Sequence, residues 1–456
     1  MANTKKHEKL FLGVDVGGTK ILAALVRASG KILARKRCPT PRQEPPEATL
    51  AAVVAGIEEL LAAEGVDRRA IRAVGLAVPG IVEPLEGRII VTPNLNLGGF
   101  DMGPLLEKQL GVPVVVGNDV NLGTLGEQWL GAAVLADSAV GMFIGTGIGG
   151  GIIINGKLVV GHRGAAAEIG HMKMQPDGPV CGCGGHGCLE ALASRTAIER
   201  DIRQAIAAGR KTLLAELSGN DLSVIRSSVL KKALTENDEL AKEVIGQASA
   251  IIGDACLQIR NLLDPEVIIL GGGLVEACKF FIFPIVRKAI ASDPFNQVWP
   301  GGRVVAAALG DDAVVLGAVA LAQQYLGYDP FEKAKETLRR FPPITEVSPQ
   351  NITVGGRIFA EDVYIRVDGK VGRREKARKQ SSTPREQFDR DELKFVSQGN
   401  PSILIIGTGY DGGAALTAEG EDFLLKRGIT YETSPTPDAV STYNAIKGRK
   451  AALIHL

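Results

Sequence analysis

Three clusters of polar and glycine residues in this chain are candidates for binding or catalysis. The tightest is Cys181-Gly182-Cys183-Gly184-Gly185-His186-Gly187-Cys188-Leu189-Glu190, with His171 ten residues upstream in Glu168-Ile169-Gly170-His171. One imidazole and three thiols at spacings of ten, two and five can wrap a single ion and fill the four positions of a tetrahedral Zn²⁺ site. With no position left open, such a metal would be structural. Its effect would be to hold Glu168 and Glu190, each close to a ligand, toward a substrate. His186 is a spare donor and reads as a solvated loop residue.

The second group is Asn118-Asp119, directly after the apolar run 112–116. A carboxylate at the end of a buried strand is partly desolvated, which raises its basicity. It can then take a hydroxyl proton while the oxygen attacks a γ-phosphoryl group. The same pair also reads as a turn capping a helix from Val120, and Asn118 as the cap would leave Asp119 free.

The third group is a pair of glycine-rich turns, Asp15-Val16-Gly17-Gly18-Thr19-Lys20 and the loop Gly145-Thr146-Gly147-Ile148-Gly149-Gly150-Gly151. Glycine lets backbone N–H groups approach phosphate oxygens, and Asp15 would face metal-bound phosphates. Either turn alone is compatible with an ordinary hairpin. Two of them, each leaving an apolar strand and followed by another, point to a nucleotide. Neither has the G-x-x-x-x-G-K-[ST] spacing, and neither lies between a strand and a helix as a dinucleotide fingerprint must, which disfavours a Rossmann dehydrogenase.

Hydrophobic periodicity predicts the strands and helices around these groups. Strands are expected at 10–14 and 21–26, then a helix after Pro45-Pro46 with Leu50, Val53, Ile57 and Leu61 on one face. Further strands fall at 74–78, 112–116 and 140–144, and Asn155-Gly156 is a two-residue hairpin turn. A long amphipathic helix at 240–263, a buried strand at 267–270, the turn Gly271-Gly272-Gly273 and a helix at 313–326 complete the region. Two α/β halves, each opening with a glycine-turned hairpin, predict a duplicated fold with a binding cleft between lobes.

Lys and Arg number 52 and Asp and Glu 51, so the net charge of +1 advertises neither nucleic acid nor an anionic membrane. Residues 1–10 lack the apolar core of a signal peptide, and no apolar run reaches the roughly 20 residues of a membrane span. The cytoplasm is the expected compartment. The scattered Cys38, Cys256 and Cys278 read as buried thiols.

In order along about 10–326, these motifs resemble the ROK family of repressors, uncharacterised reading frames and sugar kinases: D-x-G-G-T-K, N-D, G-T-G-x-G-G-G, E-x-G-H and C-x-C-G-x-x-G-C-x-E. The resemblance implies an α/β, two-lobed actin/hexokinase-like (ribonuclease-H-like) kinase fold over 1–328. It implies transfer from MgATP to the 6-hydroxyl of a hexose, foremost glucose, with an N-acetylhexosamine or another hexose as the alternative. A sugar-sensing protein without turnover is the alternative of a different class. By resemblance, Asp119 is the catalytic base, and Gly80, Asn94, Asn118, Asp119, Glu168, His171 and Glu190 hold the sugar. His171, Cys181, Cys183 and Cys188 bind Zn²⁺, so His171 would use both ring nitrogens. Asp15, Gly17, Gly18, Thr19, Lys20, Thr146 and Gly147 line the ATP phosphates, and Gly271, Gly272 and Gly273 flank the adenosine. A homodimer is expected by family analogy. Ala167 stands before Glu168 where many relatives carry Gly, and Gly99-Phe100 where glucokinases often carry Trp; both bear on substrate identity. With about ten residues before the first strand, no room is expected for the helix-turn-helix domain of the family's repressors.

A linker is expected at 329–350 and a small α/β domain at 351–456. Residues 404–413, 432–440 and Tyr443-Asn444 resemble a domain of adipogenesis-associated and mitochondrial complex I assembly-factor proteins. Gly407–Gly413 reads as a structural turn, with anion binding as the sharper alternative. The basic run Arg373–Lys379 reads as a solvated loop.

Overall fold

The computed structural model describes residues 9–456 apart from 84–85, 94, 135, 220, 299–301, 333–340, 380, 382, 399–400, 428 and 447–449. The chain divides into two compact units, Met1–Pro330 and Phe331–Leu456. Within the first, two five-stranded sheets share one connectivity. One carries the antiparallel ribbon β1 (Leu10–Val16), β2 (Lys20–Arg27) and β3 (Ile32–Pro39). After α1 (Pro46–Ala63) it gains the parallel strand β4 (Ile71–Val78). The short ribbon β5 (Ile81–Val82) and β6 (Ile89–Val91), then α2 (Met102–Leu110), lead to β7 (Val114–Asn118), giving the order β3-β2-β1-β4-β7.

α3 (Asp119–Leu130) then carries the chain into the second sheet, where β8 (Ala139–Ile144), β9 (Ile148–Ile154) and β10 (Lys157–Leu158) form another antiparallel ribbon. Helices α4 (Leu189–Ala193), α5 (Arg195–Ala207), α6 (Leu214–Leu217), α7 (Ser227–Thr235) and α8 (Glu239–Leu263) precede β11 (Val267–Gly271). Past α9 (Gly273–Ala291) and α10 (Pro294–Val298), β12 (Arg303–Ala306) completes the order β10-β9-β8-β11-β12. Both sheets therefore add two parallel strands to a three-stranded ribbon, as the paired sequence halves predict. Cys256 and Cys278 are buried and Cys38 half-buried. Among the described residues no helix is long and apolar enough to cross a membrane.

The last helix of this unit, α11 (Ala313–Tyr325), is apolar on nearly every side and buried along most of its length, as a helix packed on several faces must be. It lies against β1, β4 and α3. Glycines permit these contacts to run backbone to backbone: a Cβ on Gly13, Gly75 or Gly126 would sit 2.3, 1.9 or 2.1 Å from a carbonyl oxygen of α11. Reciprocally, a Cβ on Gly317 would sit 1.7 Å from the Leu122 carbonyl oxygen of α3. Beside this crossing, the fully buried carboxylate of Glu127 accepts hydrogen bonds from Ala308 N, Leu309 N and Ala132 N at 2.7–3.1 Å. α3 and α11 are thereby fixed to each other and to the end of β12.

The second unit is built on a five-stranded mixed sheet. It opens with the meander β13 (Ile344–Val347), β14 (Ile352–Val354) and β15 (Arg357–Phe359), followed by β16 (Val363–Ile365) and β17 (Val371–Arg373). β18 (Gln387–Phe388) pairs with β20 (Ala415–Leu416), while β19 (Ile403–Thr408), β21 (Thr430–Ser434) and β22 (Lys450–His455) run parallel. Two expectations change. Ile344–Val347 is a strand inside the stretch expected as linker, because Ile344 is buried and pairs with Val354. The basic run is not all solvated: Arg374 is 1% exposed in a short helix, where carboxylates supply the partners that burial denies it.

Gly317→Ala should lower the urea-unfolding free energy by about 1–3 kcal/mol or more, since a methyl group there displaces a backbone rather than a side chain. An unchanged unfolding midpoint would show that the two helices do not cross this closely.

Candidate functional site

Asp119 stands where β7 turns into α3. Asn118 caps that helix, its Oδ1 accepting from Val120 N and Asn121 N at 3.0 Å each. Its Nδ2 donates to Gly80 O at 2.9 Å. The cap therefore ties the segment after β4 to the start of α3 and leaves the Asp119 carboxylate out of the capping role, although Asp119 Oδ1 also accepts from Val120 N at 2.9 Å. Gly80 has φ of 97°, and a Cβ there would lie 2.0 Å from Val91 O, so only glycine fits between the segment and β6. Burial pushes the Asp119 carboxyl up to about 6, with the nearby Glu168 charge adding to the rise and the Val120 N–H opposing it.

Asp15, at the end of β1, is pushed up to about 7 by burial first and then by the charge of Asp119, against the pull of Lys20. The two carboxylates thus share one electrostatic neighbourhood. The turn after Asp15 is closed by Gly17 N donating to Lys20 O at 3.0 Å, and Thr40 Oγ1 braces it on Gly17 O at 2.7 Å. Thr19 and Lys20 are exposed at its tip.

The second glycine-rich stretch is a shorter loop than its sequence suggests. Only 145–147 form the turn, and Gly149, Gly150 and Gly151 lie within β9. Their missing side chains make room for Val120 and Thr124 of α3 and for the 167–169 segment, all of which a Cβ would meet at 2.2–2.5 Å. The turn is held from below by α5: Arg195 N donates to Gly145 O at 2.9 Å and Thr196 Oγ1 to Thr146 O at 2.7 Å. Gly271, Gly272 and Gly273 come to the same edge, with a Gly272 Cβ 2.5 Å from Ile144 O at the end of β8.

His171, Cys181, Cys183 and Cys188 converge, with one ligand atom from each lying within 4.8 Å of every other. Cys183 and Cys188 Sγ are 3.8 Å apart, and Cys181 Sγ is 3.6 Å from His171 Nδ1. A tetrahedral ion with arms of about 2.3 Å to sulfur needs edges of roughly 3.8 Å, so the donors fit one. The other ring nitrogen of His171, Nε2, points toward Glu168 Oε2 at 3.9 Å. Glu190 links this cluster to the turn: Oε1 lies 3.7 Å from Cys181 Sγ, and Oε2 accepts from Ile148 N at 2.9 Å. His186 is exposed. Ala167 adopts φ of 67°, the left-handed conformation that explains why glycine suits this position.

Asp15 thus shares an electrostatic neighbourhood with Lys20 and Asp119, and Asp119 with Glu168, while Glu168 meets the Cys/His cluster at His171 and Glu190 joins that cluster to Ile148 beside the 145–147 turn; α3 packs on β9 between them. Asn94 lies outside the described residues. Asp311, which the sequence pattern does not single out, pairs through Oδ2 with Lys20 Nζ at 3.2 Å and Arg37 Nη2 at 3.3 Å. The acidic pair Asp311-Asp312 ahead of an apolar helix was visible, but its partners are nearly three hundred residues away in sequence. Thr196 escaped for the same reason.

A two-lobed α/β kinase fold, with a desolvated carboxylate at its centre and glycine turns on both sheets, defines the class of this first unit. Residues 11–325 match the ROK family, and residues 344–455 match a protein family of unknown function, DUF498/DUF598. The chain belongs to the ROK family, and within it to the sugar kinases of hexokinase type. It is 32% identical over 331 residues to a glucokinase of Halalkalibacterium halodurans, covering 72% of this chain and 99% of that one. An N-acetylmannosamine kinase of Escherichia fergusonii is 33% identical over 319 residues, covering 68% and 98%. The crystal structure of a ROK family glucokinase from Streptomyces griseus in complex with glucose and AMPPNP superposes with a TM-score of 0.60 at 33% identity, covering 69% and 99%.

Because Glu190 accepts from Ile148 N, which directly follows the 145–147 turn, Glu190→Ala should lower kcat/KM for ATP at least about tenfold, the cost of losing one hydrogen bond to a charged group. Glu190→Gln, which keeps an acceptor, should fall between. Steady-state kinetics showing equal rates for Ala and wild type would remove Glu190 from the turn.

Proposed function

We propose that the first unit transfers the γ-phosphoryl group of MgATP to the 6-hydroxyl of a hexose, with glucose the leading substrate. The observation that carries this reading is Asp119: a carboxylate lifted to about 6 by burial, at a capped helix N-terminus beside Asp15 and Glu168. Such a base is ionised at neutral pH, yet basic enough to accept the proton as the sugar oxygen attacks. The hydroxyl oxygen bonds to phosphorus as the bond to the β,γ-bridging oxygen breaks, the proton passes to Asp119 and ADP leaves. Asp15 and the Gly17–Lys20 turn would receive the metal-bound phosphates, with Thr146 and Gly147 on the opposite lobe and Gly271–Gly273 flanking the adenosine. Glu168, Glu190, His171 and Asn118 with Gly80 would position the sugar, Asn118 acting chiefly through its cap and its bond to Gly80. Catalysis then rests on positioning and charge neutralisation, with closed lobes excluding water.

The identity to an N-acetylmannosamine kinase, 33%, is close to the 32–34% shared with the glucokinases, which supports an N-acetylhexosamine as the second candidate acceptor. A panel of hexoses and N-acetylhexosamines with coupled ADP detection separates the two, and sugar binding without ADP release from any acceptor would favour a sensor instead.

For the Cys/His cluster we assign Zn²⁺, on the chemistry of three thiols and an imidazole. Bound there, it would hold the thiols as thiolates and cross-link the Glu168–His171 turn to the 181–188 loop. This makes both carboxylates, Glu168 and Glu190, dependent on the ion for their placement.

Asp119→Asn should reduce kcat by roughly 10²–10⁴-fold while sugar affinity by calorimetry stays within a few-fold; near-normal turnover would rule Asp119 out as the base. In the wild type, kcat/KM should decline as pH drops through about 6, where the lifted carboxylate gains its proton. A flat profile from pH 5 to 8 would contradict it. Elemental analysis of purified protein should find about one zinc per chain, and Cys183→Ser should lose most of it and melt at lower temperature. Zinc retained at full stoichiometry in that variant would exclude Cys183 as a ligand.

A further inference from the structure

A cavity of about 410 Å³ opens in the second unit against Asp362, Arg385 and His455, within the size range of small-ligand sites. Asp362 is 3% exposed, and its carboxylate is surrounded by donors. His455 Nδ1 lies at 2.7 Å, Leu456 N at 3.0 Å, and Arg374 Nη1 and Arg385 Nε at 3.2 Å each. Burial works against the ionised form, but the bonds from His455 and Leu456 N, with the Arg374 charge, prevail and hold its carboxyl well below the usual range. As a carboxylate, Asp362 accepts from His455, which places the proton on Nδ1 and leaves Nε2 as the ring's other polar atom.

The charges are arranged unevenly. Arg374 makes two bonds to Glu392 at 2.6 and 3.1 Å, and Arg378 adds a third at 3.4 Å. Counting side chains, three guanidiniums therefore share the two carboxylates of Asp362 and Glu392. Glu361, the other acid lining the cavity, accepts from Arg373 Nε at 2.9 Å. Asp389, a third carboxylate, also feels the charge of Arg378; Arg385 is the guanidinium left toward the surface, its hydrogen bond among the described residues using Nε and its side chain 60% exposed. An ion pair that open to water contributes little to stability, so folding alone does not account for an arginine held this way at the mouth of a cavity.

We propose that this cavity binds the oxyanion group of a small metabolite, a phosphate or a carboxylate, on the Nη groups of Arg385 with His455 Nε2 as a second polar contact. Arginine's planar fork matches either oxyanion. Asp362 acts as the positioning residue: it anchors Arg385 through Nε and orients the imidazole through Nδ1. Gln350, also in the wall, is available to the rest of the ligand. This reading is independent of phosphotransfer by the first unit.

The test uses the full chain with labelled histidine, following the His455 ring by NMR, its signal identified by its disappearance in His455→Gln. Inorganic phosphate and succinate are titrated separately at constant pH and ionic strength. Saturable movement of the His455 signal with one or both probes is expected, and the probe that acts identifies the oxyanion. In Arg385→Ala the apparent dissociation constant should rise at least about tenfold, the loss of a charge-assisted bidentate contact, while kinase turnover and Tm stay at wild-type values. Should that variant melt early, Arg385→Gln replaces it. No response of His455 to either anion, or the same response with Arg385 removed, overturns the proposal.

Discussion

The close crossing of α3 and α11 is the constraint on which the first unit depends. α3 begins at the candidate base and runs onto the second sheet, while α11 returns from that sheet to lie on β1 and β4 of the first. Where the helices touch, Gly126 and Gly317 bring backbone against backbone. A contact of this kind leaves no side chain that could repack, so the two sheets are related through a nearly rigid joint. Glu127 reinforces it. Its buried carboxylate would be costly alone, but three backbone N–H groups compensate for the lost water. Burial still lifts its carboxyl above the ordinary range, with those N–H groups opposing the rise.

From that joint the site is assembled in layers. Asn118 spends both ends of its amide on structure, capping α3 and bonding to Gly80, and this frees Asp119. Val120 and Thr124, one and five residues on, seat the same helix against the glycines of β9. A single helix thus sets the distance between the candidate base and the turn at 145–147. The Cys/His cluster acts on that turn from the far side through Glu190, which bonds to Ile148 N while lying beside Cys181. The Cys/His cluster, Glu190 and the 145–147 turn are mechanically one structure here.

The second unit solves a different problem with the same physics. Arg374 and Glu392 are among its most deeply buried side chains, and they persist because each finds opposite charge and hydrogen bonds. The apolar periodicity of β19 and β22 accounts for the sheet around them, but the ion network has members at 362, 374, 378, 385, 392 and 455. Read along the chain, those residues look like ordinary surface charge.

Most of the strands and helices of the first unit, and the local motifs they carry, could be read from the chain alone. The Cys/His spacing, the Asn118 cap, the paired hairpins and the buried strands were all legible, because each depends on neighbours within a dozen residues and on side-chain periodicity. Tertiary structure alone decided which glycines serve turns and which serve packing. Gly149–Gly151 look like loop residues in sequence, yet their missing side chains accommodate α3 and the 167–169 segment. It alone decided that Asp311 meets Lys20, that Glu190 reaches Ile148, and that Arg374 is buried. Such pairings join residues tens to hundreds of positions apart, and their energy depends on distances and dielectric surroundings that exist only once the chain has folded.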